Sequence, residues 1–451
     1  MKLDNWLEQR ARTSPDRMAV IGPDGDLTYA ELESEARSLA RRLVSGGARR
    51  GGTVALTMSP GTGKVVLVHA LMKAGAVLMP LSDRLTPAER SAAVAAAGVD
   101  LDLGEPAGPG GVEADMPLLG EHDMDEVHSK LLTSGSTGTP RTVSLTYGNH
   151  LFSAMGSAFN LGVEPTDRWL CALPMSHISG LSISMRSVIY GTGMVLHDRF
   201  DPEAVARSLE DDGVTVISLV ATMLRRLLDE GVDLSRTRAV LVGGGPVPAD
   251  VLEEALGVGA PVVQTYGMTE TCSQVTTLTV EDAPRKIGSA GRPLLTSHLR
   301  IEDGEILVQG PTVSPSALDS DGWLRTGDLG RIDDEGFLFV EGRADATIIT
   351  GGENVGPEEV EAVLREHPAV QDAAVIGVSD QEWQQKVVAL VVPTASDRFD
   401  RDAVFEHCSE LLAPYKVPKR LEVVSELPKT ASGKLRRGDL AELLTRSDKD
   451  A

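Results

Sequence analysis

Leu27 to Leu43 read LTYAELESEARSLARRL, with apolar residues recurring at helical spacing, and the periodicity then changes three times before Leu81. Val54 to Leu56 reads as a short strand, Val65 to Lys73 as a helix and Ala76 to Leu81 as another strand. This alternation implies parallel strands joined by helical crossovers, the α/β class. With 451 residues, the chain is roughly three times a usual domain length, so more than one folding unit is expected.

Outward from this stretch, a Gly/Pro/acid-rich segment from about Asp102 to Asp125 interrupts the pattern as a surface excursion. Between Leu299 and Val340, short strands alternate with turn signals (EDGEILVQGP, DGWLRTGDLG, IDDEGFLFVEGR), the pattern of antiparallel structure. After Arg343 come a helix from about Pro357 to His367, the strand-like AAVIGV and VVALVVP, a second helix and a basic tail. A domain boundary falls at 342–345, where Gly342 supplies backbone freedom beside the polar Arg343 and Asp345.

Hydrophobic residues make up 41% of the chain and charged residues 24%, enough apolar material for a sizeable core. Sixty-six acidic against 43 basic residues give a net charge of −23, the wrong sign for a nucleic-acid partner. That acidity reads as a solvated, self-repelling surface. The opening MKLDNWLEQRARTSPDR has no apolar targeting stretch, and His69 and Lys73 break the run from Val65 to Leu81 well short of a membrane span. A cytoplasmic protein is expected. Cys171, Cys272 and Cys408 lie far apart with no CxxC, which reads as small buried hydrophobes and not as a disulfide framework or metal site.

The strongest chemical signal is the loop Thr133-Ser134-Gly135-Ser136-Thr137-Gly138-Thr139-Pro140-Arg141, between the strand-like VHSKLL and RTVSLTY. Glycines let backbone N–H groups turn inward on an anion, and hydroxyls add donors without bulk. Taken alone it reads equally as a phosphate cradle or as a flexible turn. It is not a Walker A loop, since GK[ST] is missing and a strand follows. Pro60-Gly61-Thr62-Gly63-Lys64-Val65 imitates one, but Met58 stands where the first glycine belongs and Val65 where the hydroxyl belongs, so it reads as a helix start. Gly243-Gly244-Gly245 follows the strand-like AVLV without GxGxxG spacing and suggests close approach to a flat ligand.

Four more segments follow in order: Tyr266-Gly267-Met268-Thr269-Glu270, Arg325-Thr326-Gly327-Asp328, Gly342-Arg343-Ala344-Asp345 and Pro428-Lys429-Thr430-Ala431-Ser432-Gly433-Lys434. With the 133–141 loop they resemble the core motifs of the adenylate-forming superfamily of acyl-CoA synthetases, luciferases and peptide-synthetase adenylation domains. The resemblance runs from Leu27 to Leu440. It implies a large N-terminal domain of doubly wound α/β sheets over 1–342, with a small β-barrel-like subdomain over about 285–342. A hinge at 343–345, centred on Asp345, then joins a small mobile α+β C-terminal domain over 346–451.

The resemblance also implies ATP, CoA and Mg²⁺ as cofactors and a small-molecule carboxylic acid as substrate; a homo-oligomer is left open. Phosphates would lie among Thr133, Ser134, Gly135, Ser136, Thr137, Gly138 and Arg141. The usual Pro-Lys ending of that loop is here Pro140-Arg141, which keeps the charge as a planar fork. Glu270 offers the hard oxygen that Mg²⁺ prefers. Asp328 would take the ribose diol, and Tyr266 would stack on adenine, with Gly243, Gly244 and Gly245 as the other wall. Gly267, Met268, Thr269 and Arg343 complete the nucleotide set. Lysine is scarce, 11 against 32 arginines, yet Lys416, Lys419, Lys429 and Lys434 all fall in the final domain. By resemblance Lys434 neutralises charge developing on the α-phosphate, with Glu270, Thr133 and His177 also catalytic. Gly351 and Gly352 would face the thiol of CoA.

The segments LPMSHISGLS, SVIYG, VLVGGGPVP and YGMTETCSQ border the acyl pocket in the family and resemble the branch that activates an aromatic acid carrying a second carboxylate. A fixed cation is the simplest recogniser of that second group. Arg186 is the candidate, with Ser218 assisting and His177 and Gly267 beside the acyl group. A synthetase for another aryl or fatty acid would share every ATP motif. A peptide-synthetase-type domain would carry an aspartate for its amino group, which MSHISGLS lacks. A non-catalytic nucleotide-binding protein would be expected to have lost Lys434 or Glu270.

Overall fold

The computed structural model describes residues 1–104, 117–133, 141–245, 247–343, 347–394, 399–428, 435 and 437–447. It divides into two compact units: residues 1–83, 97–132 and 142–342 form the larger, and residues 84–96, 133–141 and 343–451 the smaller.

The larger unit holds two mainly parallel sheets. In the nine-stranded sheet the order is Arg292–Pro293, Ser273–Thr277, Val262–Met268, Ala239–Val242, Val216–Leu219, Arg168–Cys171, Gly193–Leu196, Met18–Ile21 and Leu27–Thr28. Its six central strands are parallel, and antiparallel pairs close both edges. Central strands such as AVLV and GMVL are buried along their whole length, as continuous apolar runs covered on both faces require. The five-stranded sheet runs Leu101–Asp102, Thr53–Thr57, Val77–Leu81, Val127–Thr133 and Arg141–Thr146.

Local chemistry fixes the helix ends that matter here. Thr28 Oγ1 accepts from Glu31 N at 3.3 Å while Glu31 Oε2 accepts from Thr28 N at 2.8 Å, a reciprocal cap that starts Tyr29–Ser45. The Walker look-alike does begin a helix, Gly63–Ala74, and Lys64 Nζ donates to Asp198 Oδ1 at 2.7 Å, so its charge is already matched. From His298 onward, His298–Glu302, Glu305–Gln309, Leu324–Ile332 and Leu338–Arg343 form a four-stranded sheet in chain order. Just before it, Arg292–Pro293 pairs with Ser273–Thr277 in the large sheet, while Gly291 bridges to Leu338 and Ser289 Oγ donates to the Leu338 carbonyl at 2.8 Å.

In the smaller unit Glu353–Val355, Ile348–Thr350, Gln384–Pro393 and Val370–Asp380 pair antiparallel, and Arg420–Val423 adds in parallel. The helices Pro357–Glu366 and Arg401–Leu411 bury Val360, Leu364 and Val404 against this sheet. Residues 84–96 join this unit although they lie far back in the sequence. The buried Lys416 ammonium donates to Glu89 Oε1 at 2.9 Å and to Glu359 Oε1 at 2.6 Å, and Thr86 Oγ1 donates to the Leu411 carbonyl at 3.1 Å. No contiguous reading of the sequence anticipates that return.

Candidate active site

Within the larger unit, the candidates collect at the carboxyl ends of four adjacent parallel strands, where open α/β sheets bind ligands. Gly243 follows Ala239–Val242, residues 266–270 end Val262–Met268, Ser218 lies near the end of Val216–Leu219, and the segment leading to His177 follows Arg168–Cys171. Sheet order alone thus brings together residues spread over a hundred positions of sequence.

On the nucleotide side, Tyr266 Oη donates to Asp328 Oδ2 at 2.7 Å, so the aromatic ring and the carboxylate are held as one unit. Asp328 is buried, and its backbone N–H donates to Thr326 Oγ1 at 3.1 Å, which itself donates to the Ile306 carbonyl at 2.7 Å. Gly267 sits at a β-bulge where an added Cβ would lie 1.7 Å from the Ser273 carbonyl oxygen, so only glycine fits. At Gly243 a Cβ would meet Thr265 Cγ2 at 2.8 Å, and Gly244 has φ +78°. Pro246, which follows this run, lies outside the described residues.

Glu270 is half-buried on a one-turn 3₁₀ segment, Thr269–Thr271. Thr271 Oγ1 accepts from Met268 N at 3.0 Å, and the Glu270 carbonyl accepts from Ser314 N at 2.7 Å. The chain leaves through Cys272 and Ser273 at φ +51° and +92°, an uncommon path for residues with a Cβ. A carboxylate presented from so fixed a turn has the hard-oxygen chemistry a phosphate-bridging Mg²⁺ takes from protein, and one such ligand suffices.

On the acyl side, helix Ile178–Tyr190 starts after His177, whose carbonyl accepts from Leu181 N at 3.0 Å and whose side chain makes no cap. Gly180 is forced, because a Cβ there would lie 2.4 Å from the Pro174 carbonyl oxygen. Arg186, two turns along, is only 3% exposed. Its Nη2 donates to Ser153 Oγ at 3.2 Å, its guanidinium lies 5.5 Å from the Trp169 ring centroid, and its buried Nε has no partner. Burial pushes its pKa down, against smaller opposing pulls from Tyr190 and Cys272, and among the described residues no carboxylate pairs with it. A surface position for Arg186 is thereby excluded. Trp169 Nε1 donates to Ser218 Oγ at 3.0 Å, so Trp169 links the two residues expected to read the substrate. Sequence reasoning missed Trp169 and Ser153; an indole in the strand leading to the His177 segment was the available signal for the first. Burial pushes the Cys171 and Cys272 thiols up to about 12 and the Cys408 thiol to about 11, which leaves no ready thiolate nucleophile among them.

In the smaller unit, Thr133 Oγ1 donates to the Arg141 carbonyl at 3.4 Å. Ser134, Gly135, Ser136, Thr137 and Gly138 lie outside the described residues, as do Asp345 and Lys434. Arg343 ends the strand Leu338–Arg343. Gly351 and Gly352 form the two-residue turn of the hairpin Ile348–Thr350 with Glu353–Val355, at φ +58° and +84°, where both positions demand left-handed backbone. Gly351 N donates to the Trp383 carbonyl at 2.8 Å. Arg437, three residues past Lys434, donates to Glu358 Oε1 at 2.7 Å and Glu361 Oε1 at 2.8 Å and so anchors the tail on this unit.

Strand-end loops with a paired tyrosine and aspartate, a glycine wall and a presented carboxylate define a nucleotide-dependent enzyme of the adenylate-forming class. The AMP-binding enzyme family model matches residues 7–128 and 110–316, and the AMP-binding enzyme C-terminal domain model matches 359–434; the chain belongs to this family. At the level of particular proteins it is 44% identical to the 2-succinylbenzoate–CoA ligase of Bacillus licheniformis, over 97% of this chain and 99% of that one. Among solved structures, a double mutant of the o-succinylbenzoate CoA synthetase of Bacillus subtilis bound with its product analogue OSB-NCoA is 38% identical, covering 98% of this chain and 99% of that one, with a TM-score of 0.93. The same enzyme in complex with ATP and magnesium ion is 38% identical with a TM-score of 0.73, covering 98% and 100%. Among the described residues no helix is long and apolar enough to cross a membrane.

Proposed function

We propose that this chain is an AMP-forming acid–CoA ligase that converts 2-succinylbenzoate, ATP and CoA to 2-succinylbenzoyl-CoA, AMP and pyrophosphate, a step of menaquinone biosynthesis carried out in the cytoplasm. One substrate carboxylate attacks the α-phosphorus as the bond to pyrophosphate breaks; the CoA sulfur then attacks the acyl carbon as the bond to AMP breaks. When bound, ATP with Mg²⁺ supplies the electrophilic phosphorus.

The residues serve by position and charge, since neither step needs a protein nucleophile. Tyr266 and the glycines 243–245 flank adenine, and Asp328 accepts from the ribose. Thr133, residues 134–138 and Arg141 surround the phosphates, with Glu270 as the magnesium ligand. His177 and Gly267 border the reacting carboxylate, and Lys434 balances the charge that builds between it and the α-phosphate. Domain 346–451 moves about a hinge at Asp345, and Gly351 and Gly352 flank the thiol's approach.

The carrying observation is the buried Arg186 guanidinium with no carboxylate partner among the described residues, set against Trp169 beside Ser218. An unpaired charge in an apolar setting is costly, and a ligand's second carboxylate is the counter-charge that resolves it. The test is AMP formation from ATP and CoA with 2-succinylbenzoate, beside benzoate, 4-coumarate and a medium-chain fatty acid, with Lys434→Ala as control. Strong preference for the dicarboxylate, lost in the control, supports the reading. Turnover only with monocarboxylic acids contradicts it, and silence with every acid favours a non-catalytic nucleotide-binding protein.

A further inference from the structure

Ser153 lies on helix Tyr147–Leu161, outside every motif that carries the nucleotide chemistry, and is 2% exposed. Its hydroxyl has one proton, and that proton goes to the Cys272 carbonyl at 2.6 Å. The oxygen's lone pairs are therefore the only groups it can offer to Arg186, whose Nη2 donates to it at 3.2 Å. The direction of both bonds is fixed by this arithmetic. Cys272, the recipient, is the left-handed residue at φ +51° two positions beyond Glu270, in the turn that presents that carboxylate. Arg186 has a stacking surface in Trp169 but no second side-chain hydrogen bond among the described residues, and its Nε is buried without a partner. The Ser153 hydroxyl is thus the polar anchor of the cation.

We infer that Ser153 is a positioning residue that determines specificity: it orients the Arg186 guanidinium toward the second carboxylate of the acid and ties that orientation to the Cys272 turn. The inference rests on the proposed dicarboxylate substrate and on Arg186 as its reader. Without the hydroxyl, the guanidinium keeps its charge but gains rotational freedom about its stem, and the Cys272 carbonyl loses its donor. Binding of the dicarboxylate then weakens, while a substrate with no second carboxylate has nothing to lose.

The experiment compares Ser153→Ala, Ser153→Thr and Arg186→Ala with the unaltered enzyme. It uses 2-succinylbenzoate and whichever of its two single-carboxylate analogues, 4-oxo-4-phenylbutyrate or 2-butyrylbenzoate, is turned over. The readouts are KM and kcat separately, with the thermal midpoint of each variant. Ser153→Ala is expected to raise KM for the dicarboxylate about tenfold, the equivalent of about 1.4 kcal/mol, with kcat changed less than twofold. The ratio of kcat/KM for the dicarboxylate to that for the analogue should fall by the same factor, and Ser153→Thr, which retains the hydroxyl, should recover at least half of it. An equal loss on both substrates, or a ratio unchanged in Ser153→Ala while Arg186→Ala abolishes the preference, overturns the positioning role. A preference that survives Arg186→Ala instead removes the substrate reading beneath it. Should Ser153→Ala not fold, Ser153→Cys, whose sulfur is a weak acceptor at the same position, takes its place: a fall in the ratio supports the role, and an unchanged ratio refutes it.

Discussion

Replacing Arg186 by Met should separate stability from specificity in opposite directions. The guanidinium is 3% exposed, makes one hydrogen bond, at 3.2 Å, and one stacking contact, at 5.5 Å, and faces no carboxylate among the described residues. A hydrogen bond to a charged group contributes about 1.5–3 kcal/mol. A cation–π contact adds about 0.5–2 kcal/mol. Against these stands the cost of desolvating an unpaired charge, several kcal/mol after relaxation. Met fills a similar volume without that cost, so the ligand-free variant is expected to be within about 1 kcal/mol of the parent or more stable than it. On the substrate side, losing one partner of a buried charge pair costs about 2–5 kcal/mol, a fall in kcat/KM for 2-succinylbenzoate of at least about thirtyfold. The assay pairs urea unfolding of the ligand-free protein with steady-state AMP release on the dicarboxylate and its turned-over single-carboxylate analogue. A ligand-free loss above about 3 kcal/mol with unchanged discrimination would refute the reasoning, because it would make Arg186 a structural cation.

Acid should unfold the larger unit early. Burial pushes His69 and His150 down to about 3, His122 to about 4, and His128 well below its ordinary value, so all four are neutral in the fold. Unfolded histidines bind protons below about pH 6.5, so the unfolded state holds more protons there and stability falls as pH drops from 6.5 toward 4. Unfolding free energies from urea titrations at pH 7 and pH 5 should differ by up to about 2 kcal/mol per histidine, and a flat profile contradicts the burial. Gly267→Ala should lower the thermal midpoint by several degrees and abolish adenylation, since its Cβ would lie 1.7 Å from the Ser273 carbonyl oxygen; a stable, active variant contradicts the bulge geometry. Tyr266→Phe removes the 2.7 Å bond to Asp328 and should raise KM for ATP several-fold in the same AMP assay, with an unchanged KM refuting the pairing. Lys416→Met leaves the half-buried Glu89 and Glu359 carboxylates without their shared cation and should cost up to about 3 kcal/mol in calorimetry; a change below about 1 kcal/mol would show the cluster to be solvated.

The alternation between Leu27 and Leu81 was sufficient for the α/β class because fully buried parallel strands are short apolar runs that little else imitates. The helix over Leu27 to Leu43 was legible from its apolar spacing, and the reciprocal cap of Thr28 and Glu31 fixes where it starts. The glycine at 267 was legible as part of a motif, because its position answers to a local backbone demand. The acyl side was less so. That Arg186 is buried follows from its helix packing between distant elements, and the bond from Trp169 to Ser218 spans two strands that only sheet order brings together. The return of residues 84–96 to the smaller unit depends on one buried lysine meeting a glutamate 327 positions away, which no window of sequence contains.

The most direct measurement of the central claim is a product balance: the chain incubated with 2-succinylbenzoate, ATP, CoA and Mg²⁺, with nucleotides and thioesters quantified together by mass spectrometry. AMP, pyrophosphate and 2-succinylbenzoyl-CoA are expected in equal amounts, with none of the three formed when the acid is omitted. ADP in place of AMP, or AMP release without a matching thioester, would contradict the claim.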